Sequence, residues 1–252
     1  MTQKFRSDYV KGVVQLQLQT NSLNTLKIDD LEELGRLIRD AGKNPEVRSI
    51  VLTSSSSEVF SYGLDPKHLL EKAPMARLEV FQELGRMVRA FTECPVPIIG
   101  DVKGAAIAGG AVVAFCCDFL LLGTAAKICF SETKVGLPVP LFVQKMIQRK
   151  VSGPLALEMA MLGKNVSADR ALEAGLAHAV YGNDEDRLQN LTSLTGRIQR
   201  LQRAVVAETL LVERNGLLAD IDAFLKAAGN FAHFLTDEYL GQGLKALLTQ
   251  PV

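Results

Sequence analysis

The sequence predicts an α/β core followed by a helical region. Strand-like and helix-like patterns alternate through the first half, and from Gly136 onward the pattern is almost wholly helical. Between residues 96 and 117 an apolar strand runs through glycine into an apolar, alanine-rich helix. At 252 residues the chain can bury a large core. We expect the core over residues 1–190 and the helical region over 191–252, with no low-complexity linker between them.

Residues 13–18 (VVQLQL) alternate apolar and polar, the period of a strand with one wet face. Residues 28–41 carry apolar side chains at helical spacing. Asp29, Asp30, Glu32 and Glu33 near the N-terminal end complement the helix dipole. Residues 49–53 (SIVLT) form a buried-type strand, and 54–65 (SSSSEVFSYGLD) a polar loop. A helix is expected over 75–92 and a strand over 96–102. A glycine turn then leads into the helix ending near Cys117, with short strands at 119–122 and 127–130. Helices are expected over 144–150, 155–162, 168–174 and 184–214, then over 219–248 with a break around 241–243.

Composition excludes several classes. Lys plus Arg and Asp plus Glu number 28 each, which argues against a nucleic-acid partner, since that needs a basic face. The longest apolar run, 104–117, is short for a membrane span and is closed by Asp118, so no membrane segment is expected. The polar start MTQKFRSDYVKG does not read as a secretory leader, and the ending LTQPV is not an S-K-L-like address. Cys94, Cys116, Cys117 and Cys129 lack metal-ligand spacing and fit a reducing compartment, cytoplasmic or an organelle matrix whose leader has been removed. His68, His178 and His233 share no spacing with a nucleophile, and no G-x-S-x-G turn is present.

Chemistry concentrates at the glycine turn. Glycine lets backbone approach a ligand, and a helix N-terminus presents free N–H groups toward negative charge. Gly104, Gly109 and Gly110 taken alone equally suit close helix–strand packing. Asp65 reads as the cap of a helix starting near Pro66, and Asp118 as a turn residue binding backbone N–H groups.

Four segments in order carry a resemblance. VFSYGLD at 59–65 matches an F-S-A-G-x-D loop, and the stretch 102–118 matches V-x-G-x-x-x-G-G-x followed by C-D. FSE through GLP at 130–138 matches P-E-x-x-x-G, and SADRALEAGL at 167–176 matches a common helix-turn. Together they resemble the crotonase, or enoyl-CoA hydratase/isomerase, superfamily. The resemblance implies a spiral of repeated ββα units, then helices that cover the site and build a homotrimer or hexamer. It implies an acyl-CoA substrate with no separate cofactor and no metal. It also implies a thioester enolate held by the backbone N–H groups of Leu64 and Gly109. Glu132 aligns with a catalytic glutamate, and Ser61, Tyr62, Gly63, Asp65, Gly110, Val112 and Pro138 fall at the pocket.

The departures direct the expected reaction. Hydratases of the superfamily carry a second glutamate three residues past the oxyanion glycine, where this chain has Val112. Valine cannot bind or deprotonate water, whereas one carboxylate suffices for a proton shift. The expectation is therefore 3-enoyl-CoA to 2-enoyl-CoA isomerisation with Glu132 as the shuttle. Hydration or another crotonase-type reaction is the alternative, as is a catalytically weak acyl-CoA-binding protein. Tyr62 replaces a usual alanine. Pro140 removes an acid that dienoyl-CoA isomerases carry.

Overall fold

A computed structural model describes residues 3–249. The chain opens with a hairpin and then alternates between two sheets. A polar edge strand β1 (Phe5–Val10) pairs antiparallel with β2 (Val13–Leu18), and α1 (Ile28–Lys43) follows. Next come β3 (Ser49–Ser54), β4 (Val59–Ser61), a short α2 (Pro66–Leu70) and α3 (Pro74–Thr92). The next turn is β5 (Ile98–Val102), β6 (Ala105–Ile107) and α4 (Gly109–Cys116). The third is β7 (Phe119–Gly123), β8 (Lys127–Cys129), a 3-10 turn (Glu132–Val135) and α5 (Leu141–Lys150).

The large sheet has six strands in the order β1-β2-β3-β5-β7-β10 and the small one four in the order β4-β6-β8-β9, so β3, β5 and β7 enter the large sheet and the strands that follow them, β4, β6 and β8, the small one. After the β1–β2 hairpin, each of these three turns delivers one strand to each sheet, which is the expected ββα spiral. After α6 (Gly153–Leu162), the two-residue β9 (Val166–Ser167) closes the small sheet and, after α7 (Ala168–Glu173), β10 (Ala179–Tyr181) closes the large one.

The core lies between the sheets and the helices. On α1, Leu31, Leu34 and Ile38 are fully buried, which matches their spacing of three and four. Each contributes roughly 1.5–3 kcal/mol relative to exposure. The main sheet is nearly all buried through β3 and β5, as strands covered on both faces are.

Several expectations need correction. The 54–65 loop contains β4, and β6 stands between the glycine turn and its helix. The single helix expected over 184–214 is two, α8 (Asp184–Gln199) and α9 (Arg203–Ala227). The C-terminal break falls between α9 and residue 237, through α10 (Gly229–Ala232) and a 3-10 turn (His233–Leu235). Residues 241–243 continue helically from a π-helical turn (Asp237–Gly241) into α11 (Gln242–Thr249). The division expected at 190/191 lies inside α8. Leu217, Ile221, Phe224, Leu235, Leu240 and Leu244 join the same hydrophobic core as the spiral.

Candidate active site

Three neighbouring parallel strands of the small sheet, β4, β6 and β8, place the chemistry. Leu64 lies three residues beyond the end of β4, Gly109 two beyond β6, and Glu132 three beyond β8. All three residues therefore emerge at the carboxyl ends of adjacent strands, where ligands of open α/β sheets bind.

The first donor is set by a braced loop. Gly63 adopts φ +78°, a conformation that disfavours a side chain. Leu64 forms an isolated parallel bridge with Leu26: Leu26 N–H donates to Gly63 O at 2.8 Å and Asp65 N–H to Leu26 O at 3.0 Å. Asn24 is buried at φ 47° and its amide donates to Phe60 O and Ser54 Oγ. Asp65 accepts from His68 N–H at 2.9 Å and from Thr25, capping α2 as expected. Burial would raise the Asp65 carboxyl, but those hydrogen bonds and Lys27 outweigh it and hold it below its usual range.

The second donor opens α4. Ala108, just before the helix, sits at φ 49°, ψ −121°, and its N–H donates to Cys129 O at 2.7 Å. This strained residue turns the chain so that Gly109 N–H starts the helix. A Cβ on Gly63 would stand 2.4 Å from Gly109 N, and one on Gly109 would stand 3.2 Å from Leu64 N. The loop and the helix start are in direct backbone contact. Among the described residues neither Leu64 N–H nor Gly109 N–H has a protein acceptor. Both N–H groups are thus left without an intramolecular acceptor, that of Gly109 at the positive end of the α4 dipole.

Glu132 is 7% exposed and opens the 3-10 turn. Among the described residues its buried Oε2 has no hydrogen-bond partner. Burial pushes its carboxyl up to about 7, against a smaller opposing hydrogen bond from its own backbone N–H. A carboxylate poised there changes protonation readily near neutral pH. Val112, one helical turn past Gly109, is fully buried and apolar.

The remaining expected pocket residues divide. Tyr62 is 40% exposed and Pro138 half-buried. Ser61 and Gly110 face inward instead. The Ser61 hydroxyl donates to Asn24 O at 2.7 Å and accepts from Gly63 N–H at 3.1 Å, so it braces the loop. A Cβ on Gly110 would stand 2.0 Å from Ser61 O, so glycine there permits loop–helix contact. Asn24, Leu26 and Ala108 were missed by sequence reasoning. Only the tolerance of asparagine for positive φ offered a signal, at Asn24.

The C-terminal segment lies over this region, with α11 packed on both α2 and the Glu132 turn. Arg77, 2% exposed, clamps it by donating to Leu69 O, Leu235 O and the Asp237 carboxylate at 2.7–2.9 Å.

The family model described as enoyl-CoA hydratase/isomerase matches residues 8–246. The chain belongs to the enoyl-CoA hydratase/isomerase family. It is 27% identical over 202 residues to the crotonyl-CoA hydratase of Syntrophomonas wolfei, covering 80% of this chain and 77% of that one. It is 23% identical over 250 residues to the mitochondrial enoyl-CoA delta isomerase 1 of Mus musculus, covering 94% and 83%. Among solved structures, human mitochondrial delta3-delta2-enoyl-CoA isomerase superposes with TM-score 0.91 at 20% identity, over 98% of this chain and 97% of that one. An enoyl-CoA hydratase from Bacillus halodurans does so with TM-score 0.87 at 18% identity, over 97% and 100%. These structural likenesses carry the fold.

Proposed function

We propose that this protein converts 3-enoyl-CoA to 2-enoyl-CoA, with Glu132 shuttling the proton. The Glu132 carboxylate takes a proton from C2, and the electron pair moves onto the thioester oxygen. The resulting enolate accepts hydrogen bonds from Leu64 and Gly109 N–H. Glu132 then returns its proton at C4, the C3–C4 double bond becomes C2–C3, and the carboxylate is regenerated. No water or cofactor is consumed.

The single observation carrying this reading is the buried carboxylate of Glu132, together with a buried apolar side chain, Val112, at the position three residues past Gly109. Hydration needs a held water, and Val112 can neither bind nor activate one. Two preorganised donors are each worth roughly 3 kcal/mol of barrier in comparable sites. Homotrimer or hexamer assembly belongs to the same reading, supported by exposed Leu157, Met161 and Leu162 on α6. So does a cytoplasmic or organelle-matrix setting, which four free thiols suit.

Purified protein offered a 3-enoyl-CoA and a 2-enoyl-CoA in parallel tests the proposal. Conjugation of the first, with far slower hydration of the second, is expected. Faster hydration than isomerisation would make it a hydratase despite Val112. Binding of both esters without turnover of either would make it an acyl-CoA-binding protein.

A further inference from the structure

A cavity lies at the opposite end of α4 from Gly109. Gly109 opens that helix and Phe115 and Cys116 line the cavity at its other end, about 10 Å away at 1.5 Å per residue. The cavity holds about 410 Å³, within the range of small-ligand sites. Part of its wall is apolar, from Phe115, Met146, Leu176, Leu210 and Leu217.

Its charges do not cancel. Asp118 is paired with Arg214, whose Nε donates to Oδ1 at 2.9 Å and whose second nitrogen binds Oδ2, and Oδ2 also accepts from Ile98 N–H at 2.8 Å. The third nitrogen of that guanidinium is spent on the carbonyls of Phe91 and Cys94. Arg149 and Glu213 are the exposed charged members, and the Arg149 guanidinium donates to Glu213 O. That leaves Lys150. Its Nζ donates to Cys117 O at 2.6 Å, and among the described residues no carboxylate lies within ion-pair distance.

An ammonium partly withdrawn from water with one neutral acceptor is costly, and an anion would relieve it. Burial lowers the Lys150 amine from its usual range, with Asp118 opposing, as expected of a charge short of partners. Burial also keeps the Cys116 thiol neutral, pushing it up to about 12. His178 accepts a long 3.4 Å hydrogen bond from Leu120 N–H at Nδ1, so its neutral ring carries the proton on Nε2 as a further donor.

We propose that this cavity is a second ligand site, taking a small monocarboxylate with a short apolar chain, its carboxylate on Lys150 and its chain along Met146, Leu210 and Leu217. The site is independent of the catalytic reading.

Titration calorimetry with sodium hexanoate, against hexan-1-ol at fixed ionic strength, tests it. Saturable binding of one hexanoate per chain is expected, with weaker binding of the alcohol. Lys150→Met keeps the stem and removes the charge, and should weaken hexanoate at least about tenfold, the scale of one charge-assisted hydrogen bond. Leu210→Trp fills the cavity and should abolish binding while 3-enoyl-CoA turnover persists. If Lys150→Met does not fold, Leu210→Trp decides by the same titration. Equal affinity for alcohol and carboxylate, no saturable heat, or hexanoate affinity unchanged in both variants would each overturn the proposal.

Discussion

Replacing Glu132 by glutamine should make the folded protein more stable at neutral and alkaline pH. The carboxyl is raised from 4.5 to about 7 in the folded state by burial. A raised folded-state value means the native state prefers the protonated acid. The favourable contribution is complete below the unfolded value near 4.5 and is lost as pH rises through about 7. The difference of about 2.5 units corresponds to about 3 kcal/mol at 1.36 kcal/mol per unit, an upper bound that relaxation and water entry will reduce. Glutamine cannot ionise, so the variant escapes this penalty. Urea denaturation of both proteins at pH 5, 6, 7 and 8 would measure the difference. Using the difference between them cancels the titration of every other carboxylate. The stability gap, glutamine minus glutamate, should grow toward higher pH by up to about 3 kcal/mol. A gap that is flat with pH, or one that shrinks as pH rises, would refute the burial argument.

Three further outcomes follow from the geometry. Gly63→Ala meets positive φ and a 2.4 Å approach to Gly109 N, so it should cost about 1–3 kcal/mol of stability from the backbone alone. It should also cut kcat by 10²-fold or more by displacing a donor, read by melts and turnover of the folded variant. Arg77→Met should destabilise by about 2–4 kcal/mol, because buried carbonyls of Leu69 and Leu235 lose a charged donor. Limited proteolysis should then cut the C-terminal segment sooner, whereas Asp237→Asn, which removes only an exposed partner, should have a smaller effect. The acid limb of the kcat/KM profile should report an apparent value near 7, with activity rising with pH as Glu132 ionises.

Much of the spiral was legible because its long elements bury one regular face. β2 is bounded as its VVQLQL alternation indicates, and α1 and α3 extend their expected spans by only one or two residues. What stayed hidden was short or wet. β4 and β6 have three residues each, too few to show a period, and β1 exposes five of its six residues. The 184–214 pattern lacks proline or glycine at the Arg200–Gln202 corner that separates α8 from α9. Gly241 and Gly243 misled as helix breakers. A Cβ on Gly243 would stand 2.3 Å from Val135 O, so this glycine lets α11 press against the Glu132 turn.

The site was legible as a motif order and not as geometry. Residues 61–65 and 102–118 pointed to Leu64 and Gly109, and the structure brings those two backbones together. No pattern in sequence announces that Asn24 and Ser61 brace the first loop from beneath, or that Ala108 takes positive φ to aim Gly109. Glu132 sits between lysines in sequence, at 127 and 134, so the lack of a hydrogen-bond partner for its Oε2 among the described residues appears only in three dimensions.

Turnover of a 3-enoyl-CoA by Glu132→Gln, with ester binding measured on the same sample, tests the central claim most directly. The account predicts binding within a few-fold of wild type and kcat lower by about 10²- to 10⁴-fold, the contribution of a positioned acid–base group. A folded glutamine variant that isomerises within tenfold of wild type would contradict it, and the proton would have to move through another group.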